Sequence, residues 1–169
     1  MGLFPRKRAD GRADPEVFVG LRSQLFGVDA ASLGIEPTED LVQVWGGVME
    51  LGMPEGAATI VSLADGTTSM YLSTGGGVIG GGEHEHVAAA SIHFLLRLEG
   101  DLDQLPPDES IDLPDPDSVT FYAFTHRGRR RREEAEQALS SEDHPLFSLY
   151  AAGHGVITAL RETATPRDR

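Results

Sequence analysis

An Asp-Gly pair between two β-rich runs is the feature that most constrains how this chain folds. Residues 57–64 and 67–73 are dominated by Ala, Thr, Ser, Val, Ile and Leu, and Asp65-Gly66 separates the two runs. This dipeptide in such a setting is the strongest short-range signal for a β-hairpin. The sequence therefore predicts two antiparallel strands in the middle of the chain, with Asp65 as a turn residue.

Helices are predicted on both sides of this hairpin. Apolar residues at helical spacing indicate them, and they cover residues 15–27, residues 38–52, a segment beginning after Gly82 and a segment beginning at Pro145. Gly46 and Gly47 lie inside the second helix, where each costs about 1 kcal/mol relative to Ala. We therefore expect another element to cross close to the backbone at this pair.

A second hairpin completes the predicted fold. Residues 119–125 form a β-rich run, and Arg127-Gly128 turns it into a weaker strand that ends near Glu133. The fold class is α+β, with an antiparallel sheet flanked by helices. One domain is predicted over residues 15–162, between a flexible arm at 1–14 and a tail at 163–169.

Charge and composition argue against several classes of function. The chain has 169 residues, a net charge of −13 and no cysteine. The negative charge repels nucleic acid and anionic lipid, so neither is an expected partner. Without cysteine there is no disulfide, no thiolate metal site and no thiol nucleophile. No apolar run reaches the about 18 residues that a transmembrane helix needs, and we expect a cytoplasmic protein.

Acidic and basic residues are strongly segregated. Eight carboxylates lie between Glu99 and Asp117, and four prolines there predict an acidic loop over 100–117, followed by five arginines at 127 and 129–132. Two separately solvated charge runs are the favoured interpretation, because surface ion pairs contribute little. A loop held by the arginines and a surface for a basic partner protein are the alternatives. The candidate interaction surface comprises Glu83, Glu85, Asp101, Asp103, Asp108, Asp112, Arg129 and Arg131.

A glycine tract precedes the third helix and offers a possible ligand site. Gly75, Gly77 and Gly80 match the spacing GxGxxG, which in dinucleotide-binding proteins places a pyrophosphate at a helix N-terminus. That motif needs a parallel βαβ unit, whereas the preceding strand here leaves an antiparallel hairpin. The favoured interpretation is a strand-to-helix connection in which glycine supplies positive φ. The ligand-binding alternative would use Gly77, Gly80, Gly82, His84 and His86.

Two histidines in the run Glu83-His84-Glu85-His86 invite a metal interpretation. On a helix, residues two apart point to different faces, so His84 and His86 would not chelate one ion together. We therefore expect no metal, no cofactor and no catalytic residue. In the alternative, His84 or His86 acts as a general base, since an unperturbed imidazole titrates near neutral pH, or as a metal ligand.

The run from Ala58 to Ser69, together with the order helix, hairpin, helix, hairpin, helix, resembles the Roadblock family of profilin-like domains. The resemblance covers about residues 38–160. It implies an antiparallel sheet between a helix pair and a single helix. It also implies a non-enzymatic scaffold or regulator that often dimerises and contacts small GTPases or motor assemblies. No functional residue is carried over, because no motif position matches one.

Two functional hypotheses follow from these patterns. The first is a non-enzymatic regulatory or scaffold protein that acts through protein–protein contacts, with a homodimer as one version. The second is a small-molecule or anion-binding enzyme that uses the turn from Gly75 to Gly82 with His84 or His86. The segregated charge favours the first.

Overall fold

The computed structural model describes residues 15–164, which form one antiparallel sheet with helices on both faces. The strands are β1 Val44–Met53, β2 Gly56–Leu63, β3 Thr68–Leu72, β4 Gly77–Val78, β5 Ser118–Thr125 and β6 Gly128–Ala135. The α-helices are α1 Pro15–Gly27, α2 Glu85–Gly100, α3 Glu136–Leu139 and α4 Phe147–Ala164. The strand order is β4-β3-β2-β1-β5-β6. The predicted α+β class with an antiparallel sheet is confirmed.

The sheet lies between the pair α2 and α4 on one face and α1 on the other. Alternate residues of β1 point to opposite faces, so Met49 packs in the cluster under α2 and α4, whereas Val48 packs in the cluster under α1. Phe94, Leu95 and Leu98 of α2 are completely buried in the first cluster. Both faces of the central strands are therefore apolar.

The predicted helix over 38–52 is wrong, because residues 44–53 form β1. Thr38 accepts a hydrogen bond from the Leu41 backbone N–H at 3.0 Å, but this closes a turn and does not cap a helix. The close approach expected at Gly46 and Gly47 is present, but the two glycines lie in a strand and are approached by side chains of α2 and β2. A Cβ atom on Gly47 would overlap the Leu98 side chain of α2, and one on Gly46 would lie 2.7 Å from Leu63.

The Asp-Gly hairpin forms between β2 and β3 as predicted. Asp65 accepts a hydrogen bond from the Thr67 backbone N–H at 2.9 Å, and Gly66 has a φ of 96°. Asp65 is thus a turn residue. The second predicted hairpin forms between β5 and β6, with Gly128 at a φ of 112°.

The predicted arm at 1–14 lies outside the described residues, as do positions 165–169 of the predicted tail. Residues 163 and 164 belong to α4 rather than to the tail. Among residues 15–164, every helix is too short or too polar to cross a membrane.

Candidate functional site

Close backbone approaches account for several glycines of the tract. Gly75 and Gly76 turn the chain from β3 into β4 with φ values of 105° and 86°. A Cβ atom on Gly77 would overlap the Met70 carbonyl, and one on Gly82 would overlap the Gly66 carbonyl. Gly80, at a φ of 76°, begins a short 3₁₀ turn. These glycines let the tract pass close to β3 and to the β2–β3 turn. The backbone geometry therefore accounts for them, and a bound ligand is not needed to explain them.

His84 precedes the first residue of α2, Glu85, and His86 follows it. The two imidazole rings are tilted and their centroids are 5.9 Å apart. His86 is oriented toward α4, with its Nε2 3.2 Å from the Ala159 carbonyl oxygen. Within the part of the chain that the structure describes, no three His, Asp or Glu residues are arranged to hold a metal ion.

The acidic loop is an ordered strap attached to the edge of the sheet. Residues 102–104 form a 3₁₀ turn, and residues 105–117, here called the strap, follow it. The Arg131 backbone N–H donates to the Pro106 carbonyl at 3.1 Å, and the Asp108 N–H donates to the Arg129 carbonyl at 3.1 Å. The expectation of two separately solvated charge runs is therefore wrong: the chain pairs the two runs directly.

The arginines of β6 hold the strap and the preceding turn mostly through main-chain oxygens. Arg130 donates to the Leu105 carbonyl at 2.9 Å, and Arg132 donates to the Gln104 carbonyl at 3.2 Å. The side-chain ion pairs between these arginines and carboxylates of the strap are longer, 3.4 Å from Arg129 to Glu109 and 3.9 Å from Arg131 to Asp108. The carbonyl contacts explain how so acidic a segment is held, since they do not depend on its side chains.

The predicted interaction surface is divided between separate parts of the fold. The structure brings together Asp108, Asp112, Arg129 and Arg131 along the strap and β6, where the Arg131 side chain donates to the Asp112 carbonyl at 3.4 Å. Asp101 is buried and pairs with Arg97 of α2 at 3.0 Å. Glu83, Glu85 and Asp103 are exposed next to the two ends of α2. The charged residues therefore do not form one continuous surface.

A buried ion pair beneath α1 was not predicted from the sequence. Glu50 of β1 is completely buried, and its carboxylate accepts hydrogen bonds from Arg22 Nε at 2.9 Å, Arg22 Nη2 at 2.8 Å and Thr59 Oγ1 at 2.6 Å. Burial acts to lower the pKa of Arg22, but the hydrogen bond and charge of Glu50 raise it overall. Burial, with Glu50 next, raises the pKa of Tyr71 and of Tyr122. In the sequence, the one sign of this ion pair is that Glu50 is the single charged residue of an otherwise apolar run.

A second polar cluster connects α3 to α4. Tyr150 donates a hydrogen bond to the Glu136 carboxylate at 2.7 Å, and its ring meets the His154 ring edge-on at a centroid distance of 4.5 Å. Burial, with the Glu136 hydrogen bond, raises the pKa of Tyr150. Burial lowers the pKa of His154 below its ordinary value of 6.5, so the folded state favours neutral imidazole.

The outer face of α2 exposes large apolar side chains. Ile92 and Leu96 are 45% and 41% exposed, and Ala89 shares their face at spacings of three and four residues. Beside them, a groove of about 450 Å³ lies on the surface where α2 meets α4 and is lined by Ala90, His93, Phe147, Ser148, Ala151, Ala152 and Gly155. The small residues at this groove leave room for side chains from another surface.

Comparison with known proteins does not place the chain in a family. No protein-family model matches it, and neither a curated protein nor a solved structure matches it significantly. The function proposed next therefore rests on the contacts, exposure and charge of residues 15–164.

Proposed function

We propose that the protein is a cytoplasmic, non-enzymatic regulator or scaffold that acts through protein–protein contacts and dimerises through the outer face of α2. The observation that carries the proposal is the exposure of Ile92 and Leu96 side by side on one helix. Single exposed apolar residues are ordinary on protein surfaces, whereas adjoining ones next to a groove are typical of contact sites.

A second copy of the chain is the occupant that best matches this face. A two-fold axis near Ile92 would pack α2 antiparallel to α2 of the partner subunit, so that the same residues contact each other on both sides. Ile92 would then meet its own counterpart, whereas Leu96 would face Ala89 of the partner subunit, one helical turn on the other side of the axis. Glu85 near the start of each helix would approach Arg97 of the partner subunit near the end of the other.

The charges at the two ends of α2 support this orientation. Arg97 is the basic residue in its last turn and Glu85 the acidic residue in its first turn, so antiparallel packing places opposite charges together. The Arg97 side chain is 43% exposed although it pairs with Asp101. An exposed pair contributes at most about 1 kcal/mol, so the charges set the orientation and the apolar side chains provide most of the affinity.

The layering of the fold is also compatible with the proposed scaffold role. An antiparallel sheet lies between the pair α2 and α4 and the single helix α1, which is the arrangement that the Roadblock resemblance implies. A small GTPase or a motor assembly is the class of further partner that this resemblance suggests. Such a partner would contact the surfaces that the dimer leaves free.

The test is the mass of the protein in solution, measured by light scattering over a range of micromolar concentrations. We expect a dimer for the native chain and a monomer for Leu96→Asp. Val42→Asp is the matched control, because Val42 is 57% exposed in the segment before β1, and this variant should remain dimeric. A monomeric native chain, or a Leu96→Asp dimer of unchanged stability, would refute the proposal.

A further inference from the structure

A cleft opens where α1 ends, on the opposite face of the sheet from α2 and α4. It has a volume of about 420 Å³ and is lined by residues from α1, the following turn, β1, the β5–β6 hairpin and the strap. This volume is within the range of roughly 300–1,000 Å³ that is usual for small-molecule sites. We propose that the cleft binds a small aromatic compound with a single carboxylate.

Aromatic side chains form the apolar part of the cleft. Phe26, Trp45 and Phe124 line it, and the ring of Phe124 lies 5.6 Å from that of Phe26 and 5.1 Å from that of Trp45, measured between centroids. Phe26 is only partly buried, so part of its ring remains available. A flat ring entering the cleft can make the edge-to-face or offset contacts that aromatic pairs prefer.

Arg129 supplies the positive charge for a carboxylate. Its guanidinium lies 5.2 Å from the centroid of the Phe26 ring, and its side chain is 15% exposed. Its Nη2 donates to the Glu109 backbone carbonyl, whereas its Nε–H is buried and has no hydrogen-bond partner among residues 15–164. Leaving a buried donor unpaired is costly, and a carboxylate is the group that pairs with two guanidinium N–H donors at once.

Glu109 of the strap shows how a carboxylate reaches this guanidinium. Its Oε2 lies 3.4 Å from Arg129 Nη2, but its side chain is 73% exposed. Its Oε1 also accepts the Arg129 backbone N–H at 3.1 Å. Both contacts are exposed to solvent, so water can replace them when the Glu109 carboxylate moves away. A ligand carboxylate would then take the position between Nε and Nη2, which Glu109 only partly fills.

The other acidic group at the cleft restricts the ligand to a single negative charge. Asp29 lines the cleft, but its carboxylate accepts the Ser32 backbone N–H at 2.7 Å and is fixed in the turn after α1. Because Asp29 stays in place when the ligand enters, a second negative charge on the ligand would be repelled. A monocarboxylate therefore fits better than a dicarboxylic acid or a phosphate.

Trp45 makes the proposal directly measurable, because it is the one tryptophan of the chain. Phenylacetate should change the fluorescence of Trp45 in a saturable way. Phenylacetamide, which has the same ring without the charge, should bind at least about tenfold more weakly, because a hydrogen bond to a charged group is lost. A response that is absent, or equal for the two compounds, would overturn the proposal. These measurements use the native protein and do not depend on its oligomeric state.

Substitutions on the two sides of the proposed ion pair should act in opposite directions. Arg129→Gln should weaken phenylacetate binding about tenfold or more, whereas Glu109→Gln should strengthen it by removing the internal competitor. Arg127→Gln is the control, because Arg127 is exposed in the same hairpin and does not line the cleft. Unchanged affinity in both test variants would contradict the assignment. If Arg129→Gln does not fold, Glu109→Gln and the amide comparison still decide the question.

Discussion

Removing Arg22 should be one of the most damaging single changes available in this chain. Arg22→Met keeps most of the length of the side chain but removes both N–H donors from the buried Glu50 carboxylate. Glu50 would retain the hydrogen bond from Thr59 at 2.6 Å and would otherwise be a charge in an apolar layer. Because the Glu50 carboxylate is completely buried, water cannot solvate it as it would a surface carboxylate.

Breaking one partner out of a buried pair costs about 3–5 kcal/mol. We expect a loss of this size in the free energy of unfolding of Arg22→Met, measured by urea denaturation followed by circular dichroism. Arg127→Met is the matched control, because Arg127 is exposed in the β5–β6 hairpin and its removal should change the free energy of unfolding far less.

The double variant Arg22→Met with Glu50→Leu tests whether the loss of stability comes from leaving the Glu50 charge unpaired. It replaces both charges by apolar groups, and such a replacement is often neutral, so it should recover most of the stability that Arg22→Met loses. A single-variant cost below about 1 kcal/mol, or a double variant whose losses simply add, would refute the reasoning.

Two further predictions concern the helix layer. Gly47→Ala should lower the free energy of unfolding by about 1–3 kcal/mol because the added Cβ overlaps the Leu98 side chain. Gly100→Ala is the control, because a Cβ atom there meets nothing within 4 Å. Equal melting temperatures for the two variants would contradict this prediction. His154 has a lowered pKa in the folded state, so below its ordinary value of 6.5 the unfolded state binds the extra proton, and stability decreases as pH falls. His154→Gln should reduce that decrease in pH-dependent urea titrations, and an unchanged pH profile would rule out His154 as its source.

The failure to predict β1 has a physical cause in its position. A strand that is covered on one face shows alternation of apolar and polar residues. β1 lies at the centre of the sheet with helices on both faces, and residues 44–50 are all buried, so the alternation is lost. An apolar run without that period is ambiguous, and the acidic residues after Thr38 favoured a helix.

Where only one face of an element is buried, the sequence predicted the packing correctly. The helix predicted to begin after Gly82 forms as α2, and its buried positions, Val87, Ser91, Phe94, Leu95 and Leu98, recur at helical spacing. The Asp65-Gly66 turn was predictable for a similar reason, because the backbone geometry of a tight turn restricts its residues locally. In both cases the signal lies within a few neighbouring residues.

The strap could not be predicted because its contacts are not encoded in its charges. Its carboxylates suggested a solvated run, whereas the arginines of β6 mainly bind carbonyl oxygens, which every residue possesses. The cleft at the end of α1 was missed for a related reason: Phe26, Trp45 and Arg129 are far apart in the sequence and meet only after the sheet has formed.

The central position of β1 also affects the order in which the molecule can fold. One neighbour, β2, follows it immediately in the chain. Its other neighbour, β5, is synthesised only after α2 and the strap, so Val48 of β1 cannot pair with Tyr122 of β5 until then. Pairing of such distant segments slows folding and leaves apolar edges exposed meanwhile. During synthesis, the first four strands would therefore present an open apolar edge at β1 that only the second half of the chain closes.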